Sequence, residues 1–152
     1  MKVGEGTKIW HPEKSVILDC EIGKNCTIHA PVWIGNGVLI GNNVKIQAFS
    51  FIPSGVIIED DVFIGPHVCF TNDREPPQGK AFWETTLVKK GASIGANAVI
   101  LPGLTIHTDA LVGAGSVVTK SVPKGKTWVG NPAKPIEYRQ ECRKTGFKWS
   151  WF

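Results

Sequence analysis

Residues 22–70 read IGKNCT IHAPVW IGNGVL IGNNVK IQAFSF IPSGVI IEDDVF IGPHVC F, one short phrase repeated with a period of six. Taking Ile22 as the first position, the same phase gives Trp10, Val16, Ile28, Ile34, Ile40, Ile46, Ile52, Ile58, Ile64 and Phe70, then Val88, Ile94, Ile100, Ile106, Val112 and Val118. Every member of that column is apolar. A period of six suits neither an amphipathic helix, at about 3.6 residues per turn, nor a free strand, at about 2. A fixed internal period instead signals stacked structural repeats. The fifth position (Cys20, Cys26, Val32, Val38, Val44, Val56, Val62, Val68, Ala98, Leu104, Ala110, Val122) is small or apolar too, so each hexad turns two side chains inward. The fourth position is Asn25, Gly37, Asn43, Gly55, Asp61, Gly91, Asn97, Gly103, Asp109 and Gly115. These types tolerate positive φ or bond locally to the backbone, so they mark corners. Three short strands and three corners close a triangular coil of three hexads, and such coils stack at roughly 4.8 Å. The seventeen hexads predict between five and six coils of an all-β parallel solenoid.

The repeat spans 10–122, is interrupted once by a loop insertion at 71–87, and is followed by an extension at 123–152; the whole, 1–152, reads as a single domain. Residues 1 to 9 are expected to form an irregular lead-in, with Trp10 opening the inner column. The inserted loop, REPPQGKAFWETTL, carries Arg74, Glu75, Lys80, Phe82 and Trp83. That is too aromatic for a linker, and loops of more than about a dozen residues are usually functional. It is read as folded back over a site or onto a neighbouring subunit. The hexad IQAFSF is irregular, with Phe49 at a corner and Phe51 outward; it is either a partner surface or a local packing patch. After Val122 the prolines of PKGKTWVGNPAKPI end the repeat. Residues 136–145, IEYRQECRKT, have the composition of a short C-terminal helix, and the aromatic tail FKWSWF needs somewhere to bury itself.

A net charge of +4, with Lys and Arg spread along the chain, gives no basic stripe of the kind nucleic acid requires. No charged-then-apolar leader and no run of eighteen apolar residues is present, so neither secretion nor a membrane partner is expected, and the location is read as cytoplasmic. Four cysteines without CxxC spacing fit reduced structural thiols. His29 and His107 share a hexad phase but have no acidic or cysteine companion in register, so no metal site is expected. Gly95 and Gly113, and likewise Ala96 and Ala114, are one coil apart and stack on one corner almost bare of side chains. Such a column of backbone amides suits a thin, amide-bearing ligand, although tight corners need small residues in any case.

The repeat over residues 10–135 resembles the hexapeptide-repeat acyltransferases, which implies a left-handed β-helix; the spacing alone does not set the hand, since right-handed crossovers are the default for parallel strands. The ordered strings GASIGANAVILPGLTI, ALVGAGSVVTKSVP and VGNPAKPI resemble that family's coenzyme A-binding end. The segment GPHVCFTND resembles the branch that acylates the 3-amino group of nucleotide-linked amino sugars. The resemblance implies acetyl-coenzyme A as acyl donor, a nucleotide-linked amino sugar as acceptor, a role in making cell-surface polysaccharide, and a homotrimer with sites between subunits. It implies Asn72 as the residue that contacts the sugar amine. Asp73, Gln47 and Trp83 are candidates for substrate binding, and Ala96, Ala114, Lys120, Lys134 and Arg139 for the coenzyme. His67 is either the general base used in sister branches or a corner residue that only orients the loop. Two other classes stay open: O-acetylation of another small acceptor, and a catalytically silent trimeric scaffold.

Overall fold

The structure, a computed structural model, describes residues 1–137. The chain winds as a left-handed parallel β-helix of about seven turns. Each turn visits three faces in order. Face A stacks Lys2–Val3, Glu21–Ile22, Leu39–Ile40, Val56–Ile58, Thr86–Val88 and Thr105–Ile106. Face B stacks Lys8–Trp10, Thr27–His29, Lys45–Ile46, Phe63–Ile64, Ser93–Ile94, Leu111–Val112 and Thr127–Val129. Face C stacks Val16–Ile17, Trp33–Ile34, Phe51–Ile52, Cys69–Phe70, Val99–Ile100 and Val117–Val118.

The register explains why a period of six gives this shape. Ile28 lies opposite Ile46, Ile46 opposite Ile64, Ile64 opposite Ile94 and Ile94 opposite Val112. Like residues therefore sit one above another, each 0% exposed. Every fifth-position residue named above is buried beside them. The corners behave as their composition requires: Asn25, Asn43, Asp61, Asn97 and Asp109 all have φ between 55° and 60°. Phe49 (φ 66°) and His67 (φ 59°) are held in the same left-handed region without the help of a small side chain.

The first coil departs from the expectation. It is not an irregular lead-in: Lys2–Val3 already pairs with Glu21–Ile22, and Lys8–Trp10 with Thr27–His29. The extra early strands, and a last one at Thr127–Val129, bring the coils to about seven rather than five to six. Trp10 and Val16 do not join the inner column, and each is 49% exposed. Ile9 lies opposite Ile28 and Ile17 opposite Ile34, so the inward residues are one place off the hexad phase. The 3-10 turn Pro12–Lys14 occupies the corner between them and absorbs the slip; a shift of one residue sends each strand side chain to the opposite face.

At the other end Lys134–Ile136 folds back antiparallel on Thr127–Val129. Ile136, expected to begin a terminal helix, thus closes a strand; the rest of that helix and the tail FKWSWF lie outside the described residues. No helix among the described residues is long and apolar enough to cross a membrane.

Candidate functional site

Eight of the residues singled out in the sequence fall on two of the three corners. The B–C corner carries Gln47, His67, Ala96 and Ala114, since each follows a face B strand. The C–A corner carries Asn72, Asp73, Trp83 and Lys120. His67 and Asn72 belong to one coil but stand at opposite ends of the strand Cys69–Phe70; five extended residues span roughly 16 Å. A single chain does not bring them together.

On the B–C corner the backbone is stripped bare. A Cβ built on Gly65 would lie 2.7 Å from the Ala96 amide nitrogen, and one on Gly95 would lie 2.5 Å from that of Ala114. Glycine at 65 and 95 allows the coils this close approach, as Gly4, Gly35 and Gly41 do elsewhere, while the alanines at 96 and 114 carry no side-chain oxygen that could cap an amide. Neither N–H has a hydrogen-bond partner among the described residues. The A–B corner shows what the alternative looks like: there Asn42 Oδ1 accepts the Lys24 N–H at 2.8 Å and Asp60 Oδ1 accepts that of Asn42 at 2.7 Å. One corner caps its own amides and the other presents them. One coil further along the bare ridge, the exposed ring of His67 stacks on Phe49, with centroids 4.6 Å apart. Gln47 is half-buried; its backbone N–H goes to Ile64 O at 2.9 Å and its carbonyl accepts from Ser50 Oγ.

The C–A corner is built around the base of the inserted loop. Asn72 is half-buried, and its Nδ2 donates to Ser54 O at 3.3 Å. This bond sets the orientation of the amide, and Oδ1, the acceptor, has no partner among the described residues. The Asn72 backbone carbonyl accepts from Glu84 N at 3.0 Å, which closes the loop at its neck. Asp73 turns inward on the loop itself: its carboxylate accepts from the N–H groups of Glu75 (3.2 Å), Gln78 (2.8 Å) and Gly79 (3.4 Å). Trp83 is 37% exposed, with Lys80 Nζ 5.9 Å from its ring centroid.

Lys120 and Lys134 do come together. They line a recess of about 270 Å³ with Trp128, Pro132 and Pro135, beyond the last coil. Arg139 lies outside the described residues. A larger hollow of about 400 Å³ at the A–B corner contains none of the expected site residues. Its polar groups are already engaged: Glu59 accepts from Lys89 Nζ (2.7 Å) and Lys90 N (2.9 Å), and Asp60 from Asn42 N. Among the described residues no three His, Cys, Asp or Glu side chains gather where they could hold a metal ion.

Sequence reasoning missed the ion pair at the loop neck. Arg74 Nε donates to Glu84 Oε1 at 2.9 Å, while its Nη2 reaches Pro102 O at 2.6 Å on the next coil. The partnership with Glu84 holds the Arg74 guanidinium above its already high ordinary pKa. The signal was available: Arg74 is the first basic residue of the insertion and Glu84 its last acidic one.

Comparison with known proteins gives two family matches. One, described as bacterial transferase hexapeptide (six repeats), covers residues 37–72 and 85–120; the other, hexapeptide repeat of succinyl-transferase, covers 19–48. A galactoside O-acetyltransferase from Lactococcus lactis subsp. lactis is 28% identical over 83% of this chain and 68% of its own. A dTDP-3-amino-3,6-dideoxy-alpha-D-galactopyranose 3-N-acetyltransferase from Aneurinibacillus thermoaerophilus is 54% identical over 57 residues, 38% of this chain and 30% of that one. The chain spans less than half the length of several curated relatives it matches. Among solved structures, a variant of the Bacillus cereus N-acyltransferase AntD, in complex with dTDP and coenzyme A, superposes with a TM-score of 0.80 over 93% of this chain and 85% of that one, at 22% identity.

Proposed function

Because the chain belongs to the hexapeptide-repeat transferases, we propose that it is an acyl-coenzyme A-dependent N-acyltransferase whose acceptor is a nucleotide-linked amino sugar, acylated at its 3-amino group. One observation carries this reading: the Ala96 and Ala114 N–H groups, which have no hydrogen-bond partner among the described residues, are stacked along one corner. Two donors one coil apart suit the amide carbonyls of a pantetheine arm, and a fixed backbone N–H beside an acyl carbonyl favours the negative charge that develops there during transfer. Acetyl-coenzyme A supplies an activated thioester; Lys120 and Lys134 at the end recess are placed for its phosphates. The likeness to a sugar 3-N-acetyltransferase supports the acceptor.

On the acceptor side Asn72 does the orienting. With Nδ2 held by Ser54 O, its Oδ1 is left to accept an N–H of the sugar amine. That contact turns the nitrogen lone pair towards the thioester carbon. The nitrogen–carbon bond forms, the carbon–sulfur bond breaks, and the proton lost by nitrogen ends on the departing thiolate. A sugar amine flanked by electronegative substituents is partly neutral near neutral pH, so orientation matters more than a strong base. His67 is then a neighbour of the donor ridge rather than the proton acceptor. The Asp73 carboxylate serves the loop, and Trp83 offers its face to the nucleotide.

The subunit arrangement follows from the split between corners. Face C, which joins them, presents Val16 (49% exposed), the stacked pair Trp33 and Phe51 (4.8 Å) and the partly buried Cys69, Val99 and Val117. A second copy packed along that apolar face sets the B–C corner of one subunit near the C–A corner of the next. Three copies about one axis give a homotrimer with three such sites. We place the protein in the cytoplasm, where its donor is made.

The test is coenzyme release measured with a thiol reagent, using acetyl-coenzyme A and a panel of UDP- and dTDP-linked 3-amino and 4-amino sugars together with a galactoside. Release with a 3-amino sugar is expected. Release with the galactoside alone would replace the N-acyl reading by O-acylation, and no release at all would leave a scaffold.

A further inference from the structure

We propose that the Arg74–Glu84 ion pair is a positioning device that aims the Asn72 side-chain amide, tying both strands of the loop neck to the neighbouring coil; this rests on the reading of Asn72 as the residue that orients the acceptor amine. The loop leaves face C after Phe70 and re-enters face A at Thr86, so Asn72 sits where a regular hexad corner would otherwise be fixed by the ladder. Its own corner bonds are replaced by three others. Glu84 N donates to the Asn72 carbonyl at 3.0 Å, Asn72 Nδ2 donates to Ser54 O at 3.3 Å on one neighbouring coil, and Arg74 Nη2 donates to Pro102 O at 2.6 Å on the other. Glu84 therefore acts twice. Its backbone holds the Asn72 backbone, and its carboxylate holds the arginine that is pinned to the coil beyond.

The exposure of the pair argues that geometry, not stability, is its contribution. The Arg74 and Glu84 side chains are 43% and 41% exposed, and ion pairs that wet add little to folding. Yet three of the guanidinium's donor contacts are directed, which a casual surface pair does not need. Gly103, a corner glycine at φ 74°, leaves room beside it that the Glu84 carboxylate occupies. The second clamp, the Asp73 carboxylate on three loop N–H groups, shapes the loop beyond the neck but makes no bond to either neighbouring coil. On the Pro102 side Thr71 bonds Ile100 O through its N–H (3.0 Å) and its Oγ1 (3.1 Å) before the chain reaches Asn72, and the arginine is the tie to that coil on the loop side of Asn72.

The experiment uses the full chain with 15N-labelled asparagine, the Asn72 side-chain resonance being identified by its loss in Asn72→Ala. Glu84→Gln and Arg74→Gln should each shift and broaden that resonance while the thermal midpoint stays near that of the parent. In turnover, each should lower kcat by about tenfold with the KM for the acyl donor unchanged, because a misplacement of about 1 Å at a positioned group is enough for that. Added to Asn72→Ala, Glu84→Gln should cost less than about a further twofold, since the residue through which it acts is gone. An unmoved resonance, or losses that multiply in the double variant, would overturn the proposal. If the parent protein releases no coenzyme with any acceptor, the acyltransferase reading fails, and the resonance still decides whether the pair holds Asn72.

Discussion

Replacing Ile46 by alanine should cost the subunit about 3 kcal/mol, and the figure follows from where the side chain lies. Ile46 is 0% exposed, with Ile28 and Ile64 directly opposite it on the neighbouring coils. Removing three carbons forfeits about 0.8 kcal/mol each in transfer free energy, some 2.4 kcal/mol. A cavity term adds to this, because the coils above and below are held at strand spacing and the column cannot close on the gap. In a repeat stack such a loss is shared with the nearest neighbours only. With a urea dependence of about 2 kcal/mol per molar, the midpoint should fall by about 1.5 M at fixed protomer concentration. The companion variant Lys45→Ala, one residue away but facing solvent, should stay within about 0.5 kcal/mol of the parent. If the two variants shift the midpoint equally, or Ile46→Ala moves it by less than about 0.5 M, the stacked-column account of stability is wrong.

Three further outcomes are expected. Asn72→Ala should lower kcat by about a hundredfold or more with little change in thermal midpoint, while His67→Asn costs less than about tenfold; steady-state kinetics of both variants decides between orientation and base catalysis. Glu59 is held below its ordinary carboxyl value of 4.5, first by the Lys89 hydrogen bond and then by the Lys90 N–H. A depressed acid stabilises the fold once ionised, so its contribution is complete above about pH 4.5 and disappears as the pH falls through the lower folded value. Denaturation of Glu59→Gln should therefore show a smaller loss of stability between about pH 6 and pH 3 than the parent does. Free coenzyme A should raise the thermal midpoint, by mass action on the native state, and Ala96→Asp should abolish that rise.

The solenoid was legible in the sequence because its physics is periodic. Each buried position recurs, and each corner needs a residue that tolerates positive φ, so phase alone placed Ile22 to Val118 inside. It misplaced Trp10 and Val16 because a non-repeating turn, Pro12–Lys14, altered the phase at a point where no second copy of the pattern exists to reveal the slip. The bare ridge at Ala96 and Ala114 was also visible as stacked small residues; what spacing could not show is that their N–H groups go without the side-chain caps that Asn42 and Asp60 supply at the A–B corner. The loop was visible only as an interruption. Its neck depends on contacts between residues ten and twenty-eight apart, Arg74 to Glu84 and Arg74 to Pro102, which no periodicity encodes. The separation of His67 from Asn72 likewise follows from the triangular cross-section, where neighbours in sequence occupy different corners.

The most direct test of the central claim, that donor ridge and acceptor residue meet only between subunits, is complementation in mixed trimers. Ala96→Asp spoils the B–C corner and Asn72→Ala the C–A corner, and each homotrimer should be nearly inactive in coenzyme release. Unfolded together in equal amounts and refolded, they should recover about a quarter of the parent's activity, because random assembly pairs one intact corner with the other at one interface in four. Activity no greater than the sum of the two separate variants would contradict the account and place the whole site within a single chain.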